Sequence, residues 1–236
     1  MLKLGLPSKG RLQEQSIEAF AEFGLAIERQ GAEREYSGRL NGAPDVALTL
    51  MSAGEIPAAL AAGEIHLGVT GLDLIAERIP DAGLRAPVLA KLGFGHADLI
   101  VAVPACWADV ETMHDLDEVA AQFRARHGRP IRVATKYHQL ARRFFAQSGV
   151  ADYRLVDSQG ATEAGPRNLT CEAIVDITSS GETLRANHLR ILEDGLILRS
   201  EAVLALARGA GWDERSRRAL GELGRRIGFD AETFGL

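Results

Sequence analysis

The sequence predicts an α/β protein built as two similar halves, and three observations carry that prediction. Short apolar runs alternate with longer amphipathic ones along the chain, the pattern of a largely parallel sheet covered by helices. Glycines stand where several amphipathic runs stop, at Gly24, Gly63 and Gly128. The alternation breaks at Lys91-Leu-Gly-Phe-Gly95, and apolar runs at Leu99–Val103 and Ile197–Ala207 are suited to strands crossing between halves. Domain I is then discontinuous, 1–94 plus 185–236, and domain II is 95–184, the half that holds the anion-binding turn described below.

Each element follows from its own pattern. Leu2–Leu6 reads as a strand, and Leu12–Phe23 as a helix with Leu12, Ile17, Phe20 and Phe23 near helical spacing. Val46–Leu50 is a strand, Ala53–Ala62 a helix, Leu67–Thr70 a strand entering Gly71, and Leu72–Glu77 a helix. Leu99–Val103 is a strand, and Leu116–His127 a helix closed by Gly128-Arg-Pro130. Ile131–Thr135 is a strand and His138–Gln147 a helix with Leu140, Phe144 and Phe145 inward. Tyr153–Val156 and Ala173–Ile177 are further strands; Thr178–Asn187 is a turn feeding a helix, and Asp213–Ile227 an arginine-studded amphipathic helix.

Composition narrows the function classes. The chain has 236 residues and a formal charge of −5, with 46% hydrophobic and 25% charged residues, ordinary globular usage. A chain of this length buries roughly 70–75% of its unfolded surface and needs no covalent or metal staple. The acidic balance, with a pI near 5.7, excludes a nucleic-acid sleeve. Cys106 and Cys171 are too few for a disulfide framework and read as free thiols of a reducing cytosol. No apolar stretch has the length of a membrane span, and Met1–Gln15 lacks the charge-then-apolar order of a secretory leader. A cytoplasmic protein with neither membrane nor nucleic-acid partner is expected.

The strongest chemical signal is Glu172-Ala-Ile-Val-Asp-Ile-Thr-Ser-Ser-Gly-Glu-Thr183. An apolar strand ends in a carboxylate, Asp176, and a small hydroxyl-rich turn opens a helix. Backbone N–H groups at a helix start lack intrahelical partners and the helix dipole favours an anion there. Ser179, Ser180 and Thr183 add hydroxyls, and Gly181 admits a ligand close to the backbone. This suits a phosphate monoester, with Asp176 placed for sugar hydroxyls; a plain N-cap is the bland alternative. Glu182 is an awkward neighbour for a phosphate, and its side chain is expected in solvent.

Weaker signals sit at other strand ends. Gly5-Leu-Pro-Ser-Lys-Gly10-Arg11-Leu12 is no Walker A loop, because Arg11-Leu12 stands where Lys-Ser/Thr is required. It still places Lys9 and Arg11 with free amides at the carboxyl edge of a sheet, where polyphosphate binds. Thr70-Gly71-Leu72-Asp73 is a ligand contact or a cap, Tyr137 a stacking platform or packing, and Glu163 a ribose contact or a cap. His66, His96, His114, His127, His138 and His188 show no metal spacing, and there is no G-x-S-x-G elbow.

In this order the pieces resemble the ATP phosphoribosyltransferase of histidine biosynthesis, in its short form. The stretches are Pro7-Ser-Lys-Gly-Arg-Leu12, Val69-Thr-Gly-Leu-Asp73, Val133-Ala-Thr-Lys-Tyr137, Gly160-Ala-Thr-Glu163 and, most specifically, Ala173 through Leu189. The resemblance implies a two-lobed α/β fold like the type II periplasmic-binding proteins, with the active site in the inter-lobe cleft. It implies transfer of a phosphoribosyl group from 5-phosphoribosyl 1-pyrophosphate (PRPP) to N1 of ATP with release of pyrophosphate. Asp176, Lys9 and Arg11 would carry catalysis. PRPP would be held by Glu163, Asp176, Thr178, Ser179, Ser180, Gly181, Glu182 and Thr183. ATP would meet Lys9, Gly10, Arg11, Thr70, Gly71, Asp73 and Tyr137. The family carries an arginine after the strand matching Val46–Leu50, where this chain has Met51-Ser52. Arg34 or Arg39 would supply that pyrophosphate clamp instead. Mg²⁺ is the implied cofactor, held by pyrophosphate oxygens and water with no protein side chain. The implied partner is a regulatory subunit resembling histidyl-tRNA synthetase, in a hetero-oligomer that extends to a hetero-octamer around a homodimer of catalytic subunits. Set against the family, the length leads to the expectation that the long form's histidine-binding domain is lacking. The alternative is a small-molecule binding module of the same fold without catalysis.

Overall fold

The computed structural model describes residues 1–29, 37–158 and 160–235. From the amino end come β1 (Leu2–Pro7), α1 (Gly10–Glu22), β2 (Ile27–Arg29), β3 (Ser37–Leu40) and β4 (Val46–Met51). Next are α2 (Ile56–Ala62), β5 (Leu67–Gly71), α3 (Leu72–Arg78), α4 (Ala82–Arg85) and β6 (Val88–Lys91). The middle holds β7 (Ala97–Pro104), α5 (Met113–His127), β8 (Ile131–Thr135), α6 (His138–Gln147), β9 (Tyr153–Asp157) and β10 (Ala173–Thr178). The chain closes with α7 (Glu182–Ala186), β11 (Leu189–Ser200), β12 (Ala202–Leu206) and α8 (Glu214–Ile227). Among the described residues no helix is long and apolar enough to cross a membrane.

Two compact units result, Met1–His96 with Glu201–Leu236, and Ala97–Ser200. The expected return to the first unit at residue 185 is therefore corrected. Residues 185–200 stay in the second unit because β11 pairs antiparallel with β7, from Leu189 opposite Pro104 to Ser200 opposite Ala97. The apolar run Ile197–Ala207 is two strands that share no sheet, broken at Glu201.

Unit 1 is a seven-stranded sheet in the order β2-β3-β4-β1-β5-β12-β6. Its centre is parallel, β1 lying between β4 and β5. β12 is buried throughout, as a strand covered on both faces must be. One face packs Leu4, Leu48, Leu67 and Leu204 against Phe20 of α1 and Leu220 of α8. The other packs Val203 and Ala205 against Ile56 and Leu60 of α2. Gly68 makes that second approach feasible: a Cβ there would stand 2.5 Å from Ile56 Cγ2.

His66 ties the tail of this unit to its first strand. It is buried, its Nδ1 accepts from Lys3 N–H at 3.1 Å, and Nε2–H donates to the Gly211 carbonyl at 3.2 Å. Trp212 meets the imidazole edge-on at 4.8 Å. Burial holds its pKa below the usual 6.5, although the Gly211 bond opposes that shift. The unfolded chain therefore takes up the proton first. The stability His66 contributes is complete above about 6.5 and is lost as pH falls through the folded value. Thermal unfolding followed from pH 7.5 to 5.5 is expected to show a falling Tm, with the slope reduced in His66→Gln.

Unit 2 is a five-stranded sheet, β11-β7-β10-β8-β9. Strands β10, β8 and β9 are parallel, so Thr178, Thr135 and Asp157 end at one edge. Ile100, Ala102, Ile174 and Leu184 belong to its core.

Candidate active site

The unit 2 edge assembles a cavity of about 330 Å³. Glu163, from the 3-10 turn Thr162–Ala164, lines it together with Asp176, Thr178, Ser179, Ser180 and Thr183. Two carboxylates thus face a run of hydroxyls across one small space. Neighbouring hydroxyls hold the Glu163 turn in place: Thr162 is buried, with Oγ1 at 2.5 Å from Ser158 Oγ and donating to the Gly160 carbonyl at 3.2 Å.

The turn after β10 is organised by its own polar groups. Thr178 Oγ1 accepts from Gly181 N–H at 3.0 Å, and Ser180 Oγ accepts from Glu182 N–H at 3.4 Å. Gly181 takes φ 71°, a left-handed conformation that a side chain would resist. Asp176 Oδ1 accepts from Ile177 N–H at 2.9 Å, which turns the carboxylate at the strand end. Glu182 is exposed and does not line the cavity, so its side chain leaves the PRPP set. A carboxylate turned inward there would oppose an anion.

One cation beside the turn escapes the sequence reading. Arg185 donates from Nη2 to the Ser180 carbonyl at 3.1 Å, and its Nη1 lies 3.0 Å from where a Cβ on Gly181 would be. Its signal was the spacing: four residues beyond Gly181 is one helical turn.

In unit 1 the carboxyl ends of β4, β1 and β5 lie side by side. Ser8 N–H donates to the Met51 carbonyl at 2.9 Å, and Lys9 follows as the N-cap of α1, making no side-chain cap bond. Gly10 has φ 75°, and Lys9, Gly10 and Arg11 are all exposed. Glu55, the N-cap of α2, accepts from Ser52 N–H at 3.0 Å and so closes the turn before the helix. The Ser52 hydrogen bonds, with a smaller contribution from the charge of Lys9, pull the Glu55 pKa below its usual value.

Four expected ATP contacts take other roles. Thr70 is fully buried and its hydroxyl donates to the Ala53 carbonyl at 2.9 Å, fixing β5 to the loop before α2. Asp73 is also buried, with Oδ1 at 2.3 Å from the position of a Cβ on Gly71. Gly71 is therefore the residue that lets this carboxylate fold back over the start of α3. Tyr137 is only 5% exposed and offers no face for a base to stack on. Its N–H donates to Thr135 Oγ1 at 2.9 Å, and the ring is core packing.

The clamp candidates fare differently. Arg34 lies outside the described residues. Arg39 is exposed on β3 opposite Ala47, at the amino half of β4, while Pro7 pairs with Met51 at the carboxyl end. Four residues of strand, roughly 13 Å, separate those levels, beyond an arginine's reach. Arg39 instead lines a cavity with Met1 and Pro44 at the opposite edge. Turnover of Arg39→Ala within twofold of wild type is the expected result, measured by steady-state kinetics.

These units define an α/β protein of the type II periplasmic-binding-protein class. A solved substrate-binding protein of an amino acid ABC transporter matches with TM-score 0.52 at 11% identity, over 96% of this chain and 91% of that one. A chain of an ATP phosphoribosyl transferase (HisG:HisZ) complex from Thermotoga maritima matches with TM-score 0.71 at 21% identity, over 97% and 96%. Within that class this chain belongs to the ATP phosphoribosyltransferase family, whose HisG model matches residues 52–227. An ATP phosphoribosyltransferase from Cereibacter sphaeroides is 58% identical over 228 residues, 97% of this chain and 96% of the relative.

Proposed function

We infer that the chain is the catalytic subunit of an ATP phosphoribosyltransferase, making N1-(5-phosphoribosyl)-ATP and pyrophosphate in the first step of histidine biosynthesis. The observation that carries the reading is the unit 2 cavity, where Glu163 and Asp176 share one space with the Thr178–Thr183 turn. A phosphoribosyl group needs just those two chemistries: acceptors for two hydroxyls, and amides and hydroxyls for a phosphate monoester.

In this reading Ser179, Ser180 and Thr183 hold the 5-phosphate, and Arg185 adds positive charge beside them. Thr178 and Gly181 shape the turn. Asp176 and Glu163 hold the ribose hydroxyls and face the positive charge that develops on the sugar as pyrophosphate leaves. Lys9 and Arg11, with the amides after β1, serve the polyphosphate. N1 of adenine then attacks C1 of the sugar, so catalysis is alignment and charge neutralisation with no covalent intermediate.

Among the described residues no three His, Cys, Asp or Glu side chains are grouped to hold a metal ion. Mg²⁺ carried on the pyrophosphate would neutralise the leaving group's charge. The proposed setting is the cytoplasm, with a regulatory subunit of the HisZ kind; support for that partner comes from the Thermotoga chain, which was solved in a HisG:HisZ complex. The test is the ultraviolet difference spectrum on mixing the chain with ATP, PRPP and Mg²⁺, with and without such a subunit. Accumulation of phosphoribosyl-ATP is expected, and its absence under both conditions refutes the reading.

A further inference from the structure

Unit 2 contains a second cavity, of about 370 Å³, that the transfer reaction leaves unused. Its walls are mostly apolar: Pro104 at the end of β7 and Trp107 just beyond it, Pro166 and Leu169 from the loop before β10, and the two cysteines, Cys106 and Cys171. Burial pushes the Cys171 thiol up to about 11, so this wall is uncharged at neutral pH. Asn187 and His188 bring hydrogen-bonding groups to the lining. Arg167 and Glu172 bring one charge of each sign, and Glu172 is already paired with Arg132 at 2.8 Å. A volume in the small-ligand range, apolar walls and a few convergent polar groups are the features of a small-molecule site. With the Glu172 charge met by Arg132 and Arg167 exposed to solvent, the apolar walls favour a neutral occupant, and Trp107 and the prolines an aromatic one.

The lining is continuous with the phosphoribosyl cavity through two segments. One begins at Glu163, in the first cavity, and continues as Pro166–Glu172 in the second. It is tightly folded: Thr170 N–H donates to the Gly165 carbonyl at 3.0 Å, and a Cβ on Gly165 would lie 2.5 Å from Cys171 Sγ. The other is α7, which leaves the phosphate turn at Thr183 and reaches the second cavity at Asn187. Asn187 donates to the Thr183 carbonyl from Nδ2 at 2.9 Å and from its backbone at 3.2 Å. Leu169 and His188, both in this lining, have φ of 56° and 57°. They are the non-glycine residues with positive φ among the described residues of unit 2, so the two segments meet here in a left-handed backbone conformation uncommon for residues with side chains.

We propose that this cavity binds a small neutral aromatic molecule and that its occupation weakens PRPP binding by displacing the segments that carry Glu163 and Thr183. The binding half rests on the cavity alone; the coupling half rests on the phosphoribosyl reading above.

A non-fluorescent, quenching probe of that class is p-nitrobenzyl alcohol. Titrated into the intact protein, it is expected to quench tryptophan emission along a saturable curve. That component should vanish in Trp107→Phe and in Cys106→Phe, whose added ring fills the space. PRPP affinity, measured by calorimetry with Mg²⁺, is expected to fall about fivefold or more with saturating probe, and Cys106→Phe alone should shift it in the same direction. Linear quenching that is the same in wild type and Cys106→Phe overturns the site. Saturable quenching with PRPP affinity unchanged within twofold overturns the coupling. Failure of PRPP to bind without probe overturns the phosphoribosyl reading and the coupling with it, while the quenching curve still decides the cavity.

Discussion

Asp176→Ala is expected to lower kcat/KM by about 10²–10³-fold, the loss typical of removing one preorganised polar group from a charged transition state. The fold should survive. Asp176 is half-buried in the last turn-facing part of β10, and its carboxylate accepts from the neighbouring Ile177 amide. Loss of such a bond costs about 1 kcal/mol. The activity effect divides informatively. If the carboxylate only holds ribose hydroxyls, equally in ground and transition states, KM for PRPP rises and kcat stays put. If it also faces charge developing at C1, kcat falls, and Asp176→Asn, which keeps the shape without the charge, falls nearly as far as Ala. The second pattern is the expected one, read from initial rates at saturating ATP. An alanine variant within threefold of wild type removes Asp176 from the site.

The site around Asp176 was legible because its chemistry is local. A buried strand, a carboxylate, a hydroxyl-rich turn and a helix start follow one another within a dozen residues, and each has a backbone reason to be where it is. Elements whose reasons lie elsewhere in the chain were not legible. β11 carries Glu193-Asp194-Gly195 in its middle, which reads as a loop. Its register shifts there between Ile191 and Leu196, and Asp194 spends its charge on the Met113 amide at 2.8 Å, capping α5. The acid belongs to a helix eighty residues away in sequence, so no local pattern could announce a strand. Tyr137 and Arg39 failed for a related cause. Whether a ring after Lys136 faces solvent or core is set by packing, and the level of Arg39 along the sheet is set by a register that only pairing with β4 defines. Arg185 was missed although its spacing from Gly181 was in view, because the geometry of the turn decides where its guanidinium lands.

Glu172→Ala is expected to destabilise unit 2 by about 3 kcal/mol, the cost of leaving partly buried charges unpaired. Glu172 stands at the foot of β10 and joins it to Arg132 of β8 and to Arg129 just before that strand. It accepts from Arg132 N–H at 2.7 Å, from the Arg132 guanidinium at 2.8 and 3.1 Å, and from Arg129 at 3.2 Å. Burial works to raise its pKa, but the hydrogen bonds from Arg132 and Arg129 outweigh it and hold the group at about 2. A carboxylate lowered in this way stabilises the fold fully above its usual 4.5, and that contribution drains away as pH falls towards 2. Wild-type stability should therefore drop across that window, and the Ala variant should lack this part of the drop because it has no group to titrate. Glu172→Gln should fall between them, since the amide keeps an acceptor for Arg132 but no charge. The measurement is chemical unfolding at pH 6.5, 4.5 and 3. Equal losses for Ala and wild type over that range would mean that the arginines hold Glu172 no more firmly than water does. At neutral pH and saturating PRPP, kcat per folded molecule should stay near wild type, because Glu172 lies at the end of β10 away from Asp176 and its role is to keep that strand in register beneath the turn.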